Sequence, residues 1–196
     1  MVVTRSSGTS LPLRSDSKRT QAAILETALA VLAERPRASL EEIAQVVGIN
    51  RSTVHRHFAR REDLIEALWA TIIDQFDAAH VESRAEGGTA ADQIERMQRR
   101  NVLLGDRTRF LLERWDEFSR IEHFKSRDSW RALIAEAKRD GAIRVDLPEE
   151  WINRLIAGIL LATLRLVDEG FFSSEQAAEL APRTIMKALA PDGPRH

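Results

Sequence analysis

The stretch from Ser39 to Phe58, SLEEIAQVVGINRSTVHRHF, constrains this chain more than any other feature. Ser39 followed three residues later by Glu42 is a capping box, in which each side chain serves the other residue's backbone N–H and a helix starts. Leu40, Ile43, Ala44 and Val47 then recur at helical spacing and give a short helix one apolar face. Ala44 is small where two helices must cross. Gly48 is expected to end the helix in the left-handed conformation. Ile49 plugs the turn, and Asn50 is a favourable N-cap for the next helix. Val54 and Phe58, four residues apart, turn inward together. Arg51, Ser52, Thr53, His55, Arg56 and His57 are left outside, a surface of hydrogen-bond donors and acceptors. An arginine fork matches guanine and a threonine methyl matches thymine, so Arg56 and Thr53 are candidate base readers. A helix pair in an ordinary all-α core, with a solvated Arg/His face, is the competing account. Cap, small residue, glycine, asparagine and outward polar set together favour a helix-turn-helix whose second helix enters a DNA major groove.

Charge distribution agrees with this. The 196-residue chain has a formal net charge of −1. Residues 1–64, however, hold ten Lys/Arg against seven Asp/Glu, a net +3, so the remainder carries −4. A basic end on an acidic body suits contact with DNA through one end. Cysteine is absent, which removes disulfides and thiolate metal sites and fits a cytoplasmic protein. No secretory signal is evident at the start. The most apolar run, residues 155–164, is bracketed by Arg154 and Arg165. It is too short for a bilayer, which needs about 20 apolar residues, so no membrane partner is expected.

The run from about Arg19 to Leu68 resembles the DNA-binding domain of TetR-type transcriptional regulators. The resemblance is carried by an amphipathic helix ending near Pro36, by SLEEIAQVVGINRSTVHRHF, and by ARREDLIEAL after it. His55 stands where the family usually has Tyr, and it keeps a hydrogen-bonding group there. The resemblance implies base-reading roles for Arg51, Ser52, Thr53, His55 and Arg56. It implies phosphate contacts for Ser39, His57 and Arg61.

The sequence predicts an all-α chain in three parts. Residues 1–17, rich in Ser, Thr and Arg, are expected to be a disordered basic arm. Either they are an untethered tail, or Arg5, Arg14, Lys18 and Arg19 reach a minor groove. Residues 18–65 form the three-helix DNA-binding domain. Its first helix starts at Lys18 or Arg19, with Ala23, Ile24, Ala28, Val31 and Leu32 inward. Residues 66–196 form a helical ligand-binding and dimerisation domain. A long helix there carries Leu64, Leu68, Ile72 and Phe76 and ends at Gly87-Gly88. Five more follow: one capped by Thr89, one capped by Asp106, one near 129–140, one from Glu149 to Glu169, and one from Ser174 to Leu189.

The helix from Glu149 is apolar on more than one face and must bury two sides. It is either a core helix of a monomer or half of a dimer contact. By resemblance, the last two helices of two subunits pack together, with Leu155, Gly158, Ile159, Ala162, Ile185 and Leu189 as interface candidates. The resemblance also implies an effector pocket among the middle helices. Candidates are Met97, Phe110, Trp115, Phe118, Phe124, Trp130 and Leu164, with Arg114 or His123 as polar handle; plain core packing is the alternative for each aromatic. No phosphate loop, nucleophile elbow or HExxH helix is present, so no enzyme, cofactor or metal is expected. Glu113, Asp116, Glu117 and His123 read as a solvated face. The reading is a homodimeric, sequence-specific regulator, in the default case a repressor, bound to a palindromic double-stranded operator and released by a small, mostly apolar molecule. A protein-interaction module and a ligand-independent regulator are the alternatives.

Overall fold

A computed structural model describes residues 12–114 and 127–191, with side chains from residue 16 on. Among the described residues the structure is helical, without strands: α1 (Pro12–Glu34), α2 (Leu40–Val47), α3 (Arg51–His57), α4 (Arg61–Ala85), α5 (Ala90–Leu103), α6 (Asp106–Glu113), α7 (Arg127–Arg139), α8 (Glu149–Asp168) and α9 (Ser174–Leu189). The chain divides into two compact units, Met1–Leu68 and Trp69–His196. The division falls three residues beyond the expected 65/66, because Leu64 and Leu68, one turn apart on α4, are both buried.

In the first unit α2 packs on α1 and α3. Ile24, Ala28, Val31 and Leu32 are buried as expected, joined by Leu29, whereas Ala23 is exposed. Helix α1 begins at Pro12, six residues before the expected start. Proline suits a first helical turn, since its missing N–H would have no partner there and its φ is already helical. Residues 12–17 therefore belong to a helix rather than to the arm; residues 1–11 of the arm lie outside the described residues.

In the second unit α9 packs on α5 and α8, α5 on α7 and α8, and α6 on α8. Capping boxes start two of these helices, Thr89 with Asp92 on α5 and Ser173 with Gln176 on α9. Helix α6 is preceded by Gly105 at the cap position, not by Asp106. Asp106 sits instead in the first turn, where its charge favours the helix dipole. The turn after α7 closes on the Ala137 carbonyl, which accepts from the N–H groups of Ala142 and Ile143 and seats Ile143 in the core. No helix of the described residues is long and apolar enough to cross a membrane.

Candidate DNA-reading helix and interior cavity

Local chemistry builds the reading helix as its residues demand. Ser39 Oγ accepts from the Glu42 N–H at 3.2 Å, and the Ser39 N–H donates to Glu42 Oε2 at 2.7 Å. The serine hydroxyl proton is still available to donate outward. Gly48 takes φ 76°, and its N–H reaches the Ala44 and Gln45 carbonyls. That conformation reverses the chain so that Asn50 starts α3. Asn50 is extended there but makes no side-chain cap. Val54 and Phe58 are buried against the unit's core. Arg51, Ser52 and Arg56 are exposed, with Thr53, His55 and His57 half-buried. One short helix thus holds an apolar side and a polar outer side at fixed spacing.

The outer side is partly engaged. Glu41, on α2, accepts from Arg51 at 2.8 Å and lies 3.3 Å from His55 Nε2. Arg51 Nε lies 3.4 Å from the same ring nitrogen. One nitrogen cannot serve both partners in one state: protonated it donates to Glu41, bare it accepts from Arg51. The carboxyl of Glu41 is held below the usual carboxylate range by its own backbone N–H, by His55 and by the Arg51 charge. Arg56 has no ion-pair or hydrogen-bond partner among the described residues.

Two positions that the resemblance implies as phosphate contacts behave differently. Arg61 donates from Nε to the Ala38 carbonyl at 3.0 Å and from Nη2 to the Pro36 carbonyl at 2.6 Å. Its guanidinium braces the turn between α1 and α2 onto the start of α4, because a planar fork can hold two carbonyls that no backbone N–H reaches. His57 keeps Nε2 sealed from solvent and, among the described residues, without a partner.

The second unit contains a cavity of about 230 Å³ between α4, α5, α6, α7 and α8. Phe76, Met97, Leu111, Leu112, Trp130, Ile156, Ala157 and Leu160 supply apolar walls. Trp130 is fixed by a hydrogen bond from Nε1 to Asn153 Oδ1 at 2.8 Å. Among these walls stand four buried polar residues, His80, Gln98, Asn101 and Thr108. His80 Nε2 and Asn101 Oδ1 are sealed from solvent and have no hydrogen-bond partner among the described residues. A buried polar atom left so costs about 1–3 kcal/mol, which is why such atoms are rare. Burial, and the nearby positive charge of Arg84, push the His80 imidazole below its ordinary range. Of the charged lining residues, Arg131 pairs with Glu149 and Arg154 holds Glu150, and the half-buried Arg127 lines the cavity beside them.

Of the predicted pocket residues, Met97 and Trp130 line this cavity. Phe110 and Leu164 do not; both are core residues. Phe110 packs edge-on against Trp69 with ring centroids 5.2 Å apart, and the Arg114 guanidinium lies 4.0 Å over its ring. Arg114 is thereby a partner of the core rather than a cavity handle. Trp115, Phe118, His123 and Phe124 lie outside the described residues. Sequence reasoning passed over His80, Gln98 and Asn101, although a signal existed. His80 continues the four-residue series Leu64, Leu68, Ile72, Phe76, and Gln98 and Asn101 continue the inward face of Ile94. A polar residue at an inward position of an apolar series is the mark of a polar group aimed at something.

The predicted dimer residues divide. Gly158 and Ala162 are exposed and Leu155 and Ile159 half-buried, so these four share the outer side of α8. Trp151, 59% exposed, extends that side. Ile185 and Leu189 are 0% exposed within their own chain and cannot meet a second one. They sit on the face of α9 turned to its own helices, whereas Leu180, 49% exposed, lies on the outer one.

Residues 24–68 match the family described as "Bacterial regulatory proteins, tetR family". The HTH-type transcriptional repressor LfrR of Mycolicibacterium smegmatis is 29% identical over 156 residues, which span 78% of this chain and 82% of LfrR. The crystal structure of the TetR-like LfrR from Mycobacterium smegmatis in complex with proflavine superposes with a TM-score of 0.69 at 25% identity, over 91% of this chain and 99% of that one. The ketosteroid transcriptional regulator KstR2 of Mycobacterium tuberculosis shares the fold, with a TM-score of 0.72 at 18% identity over 88% of this chain and 96% of its own. A helix-turn-helix with a polar outer side, ahead of a helical body, defines a DNA-binding transcriptional regulator. The helix-turn-helix unit of this chain, residues 24–68, matches the TetR family of such regulators, and the chain is similar over most of its length to the TetR-like repressor LfrR.

Proposed function

We propose that the protein is a homodimeric cytoplasmic repressor that reads a palindromic operator with α3 and lets go when a small, mostly apolar molecule occupies the cavity between α4 and α8. The observation that carries the reading is α3 itself, with Val54 and Phe58 inward and the polar set outward. Arg51, Ser52, Thr53, His55 and Arg56 face base edges. Ser39 donates its hydroxyl proton to a phosphate, and His57 does so through its Nδ1, since Nε2 is sealed. Arg61 acts by bracing the turn that presents Ser39.

Two subunits meet along the outer side of α8, where Leu155, Gly158, Ile159 and Ala162 recur at the spacing of a helix–helix seam. Symmetry then places two copies of α3 about 34 Å apart, or a multiple of it, on half-sites of an inverted repeat. Occupancy of the cavity shifts the population toward a spacing that no longer fits. A 10- to 100-fold loss of operator affinity needs only about 1.4–2.8 kcal/mol of differential binding. LfrR was crystallised with proflavine, which makes proflavine the first probe for this cavity.

Selection of random duplexes by the purified protein tests the reading. Enrichment of one inverted repeat is expected, bound by two chains, with affinity falling about 10³–10⁵-fold between about 50 and 200 mM salt for 6–10 phosphate contacts. No enrichment from a folded dimer would sink it. Binding of a protein partner with little salt dependence would point instead to an interaction module.

A further inference from the structure

One carboxylate oxygen of α2 gathers two side chains of α3 that lie a turn apart. Glu41 Oε1 is 2.8 Å from Arg51 Nη2 and 3.3 Å from His55 Nε2, and Arg51 Nε is 3.4 Å from that same ring nitrogen. The stems behind these groups are fixed. Glu41 follows the capping serine in the first turn of α2, between the buried Leu40 and Ile43. Arg51 opens α3, whose first turn is closed by the Thr53 and Val54 N–H groups on the Asn50 carbonyl. His55 follows the buried Val54. A lone exposed ion pair contributes little, because two long side chains must be ordered to make it. Here three groups converge from two helices that already pack on each other.

The two contacts of Arg51 engage one edge of its guanidinium. Nε and Nη2 form the side-on edge, and with His55 bare at Nε2 that edge has an acceptor at each end. A planar fork held at two points keeps its plane. Its end-on edge, Nη1 with the second Nη2 hydrogen, is turned away from both holders, and Arg51 is exposed. That edge carries two parallel donors, the pattern that guanine O6 and N7 accept. Charge acts in the same direction. An arginine without a counter-charge is drawn to phosphate, a contact that carries no sequence information. Beside an ionised Glu41 the pair has no net charge, so the pull of the phosphates weakens and the directional hydrogen bonds remain.

Resting on the reading of α3 as the DNA-reading helix, we propose that Glu41, on the helix before it, is a specificity-determining residue of DNA recognition. It touches no base. With His55 it holds Arg51 so that the end-on edge reads one guanine instead of taking the nearest phosphate. Arg56 takes no part in this arrangement and serves as an internal control.

The test uses full-length protein and the duplex that the wild type enriches, with each base pair exchanged in turn and affinity read by fluorescence anisotropy. Arg51→Ala identifies the base pair of Arg51 as the one whose preference collapses, and Arg56→Ala identifies its own. At the Arg51 pair the wild type is expected to prefer guanine about tenfold or more. Glu41→Ala should bring that preference toward unity while the Arg56 pair keeps its own and the thermal melt is unchanged. Its salt dependence should steepen by about one phosphate contact, as the released guanidinium finds one. Glu41→Ala added to Arg51→Ala should flatten the pair no further. Loss of a negative charge alone acts on every duplex alike and cancels in a ratio between bases. A preference retained at the Arg51 pair by Glu41→Ala, a flattening of all pairs together, or an Arg51→Ala variant that flattens none would overturn the proposal and leave the reading of α3 standing. A folded wild type that enriches no duplex would overturn both.

Discussion

The reading helix and the cavity arrange polar groups in opposite ways. On α3 they point outward from an apolar base of Val54 and Phe58, and where they interact they do so through exposed pairs such as Arg51 with Glu41. Around the cavity they are buried among apolar walls, and one atom each of His80 and Asn101 has no hydrogen-bond partner among the described residues. The difference teaches how each region waits for its partner. An exposed donor waits in water at little cost, so a DNA surface can be left ready and its contacts exchanged. A buried acceptor left unpaired carries a standing cost of about 1–3 kcal/mol. The first arrangement suits a long charged polymer, the second a small molecule of defined chemistry.

The comparison breaks most severely where the apolar base of the reading helix is removed. Phe58→Ala is expected to cost about 3–5 kcal/mol. Operator binding should vanish while probe binding in the second unit persists, as read by calorimetry beside a thermal melt. Loss of both together would mean that the two regions do not fold as separate units. Arg56→Ala should leave stability unchanged and cost about 1–3 kcal/mol of operator affinity, concentrated at one base pair of each half-site. An equal loss on every duplex would make Arg56 a phosphate contact.

Gly48→Ala isolates backbone strain, since an added Cβ meets nothing within 4 Å but the φ is 76°. A cost of about 1–2 kcal/mol is expected in the melting of the first unit. An unchanged melt would show that the turn relaxes into another conformation.

Acidity separates the two regions next. The His80 pKa is lowered by burial and by Arg84, with Asp77 opposing, below an ordinary histidine's 6.5. Below that value the unfolded chain takes up a proton that the folded ring refuses. Stability therefore falls as pH drops through about 6.5 and stops falling once the folded ring also protonates. The depressed carboxyls Glu41, Glu42, Asp63, Asp92 and Asp146 contribute only at lower pH, below the ordinary carboxylate range. His80→Phe should flatten the decline between about pH 7 and pH 5.5, measured by denaturant midpoints. A decline of unchanged size would assign it to another group. The smallest effect is expected from Glu41→Gln, which frees Arg51 from its ion pair. A modest rise in operator affinity with a steeper salt dependence is the expected outcome, and a fall would make Glu41 a necessary guide for Arg51 and His55.

Much of the fold was legible in order. The capping boxes at Ser39, Thr89 and Ser173 involve residues three apart, and Gly48 needs only its own backbone, so each reads directly from the chain. Periodicity likewise placed α4, α8 and α9 with their inward faces. The misjudged residues are those whose role depends on a distant helix. Leu155 and Ile185 look equally apolar in sequence, yet one lies on an outer side and the other is sealed by its own chain. Arg61 looks like a free cation until the carbonyls of Pro36 and Ala38 come beside it. Phe110 looks like a pocket aromatic until Trp69 and Arg114 enclose it.

By itself, then, the order of residues determined that this chain is helical, where the reading helix begins and ends, and which of its side chains face out. Caps, turns and periodic faces are decided by atoms within a turn or two of each other. Only the tertiary structure decided which inward polar residues meet. His80 on α4 and Asn101 on α5 come to line the same cavity because packing brings the two helices together. Burial makes their polar atoms costly to leave unpaired, and burial is a property of the assembled fold.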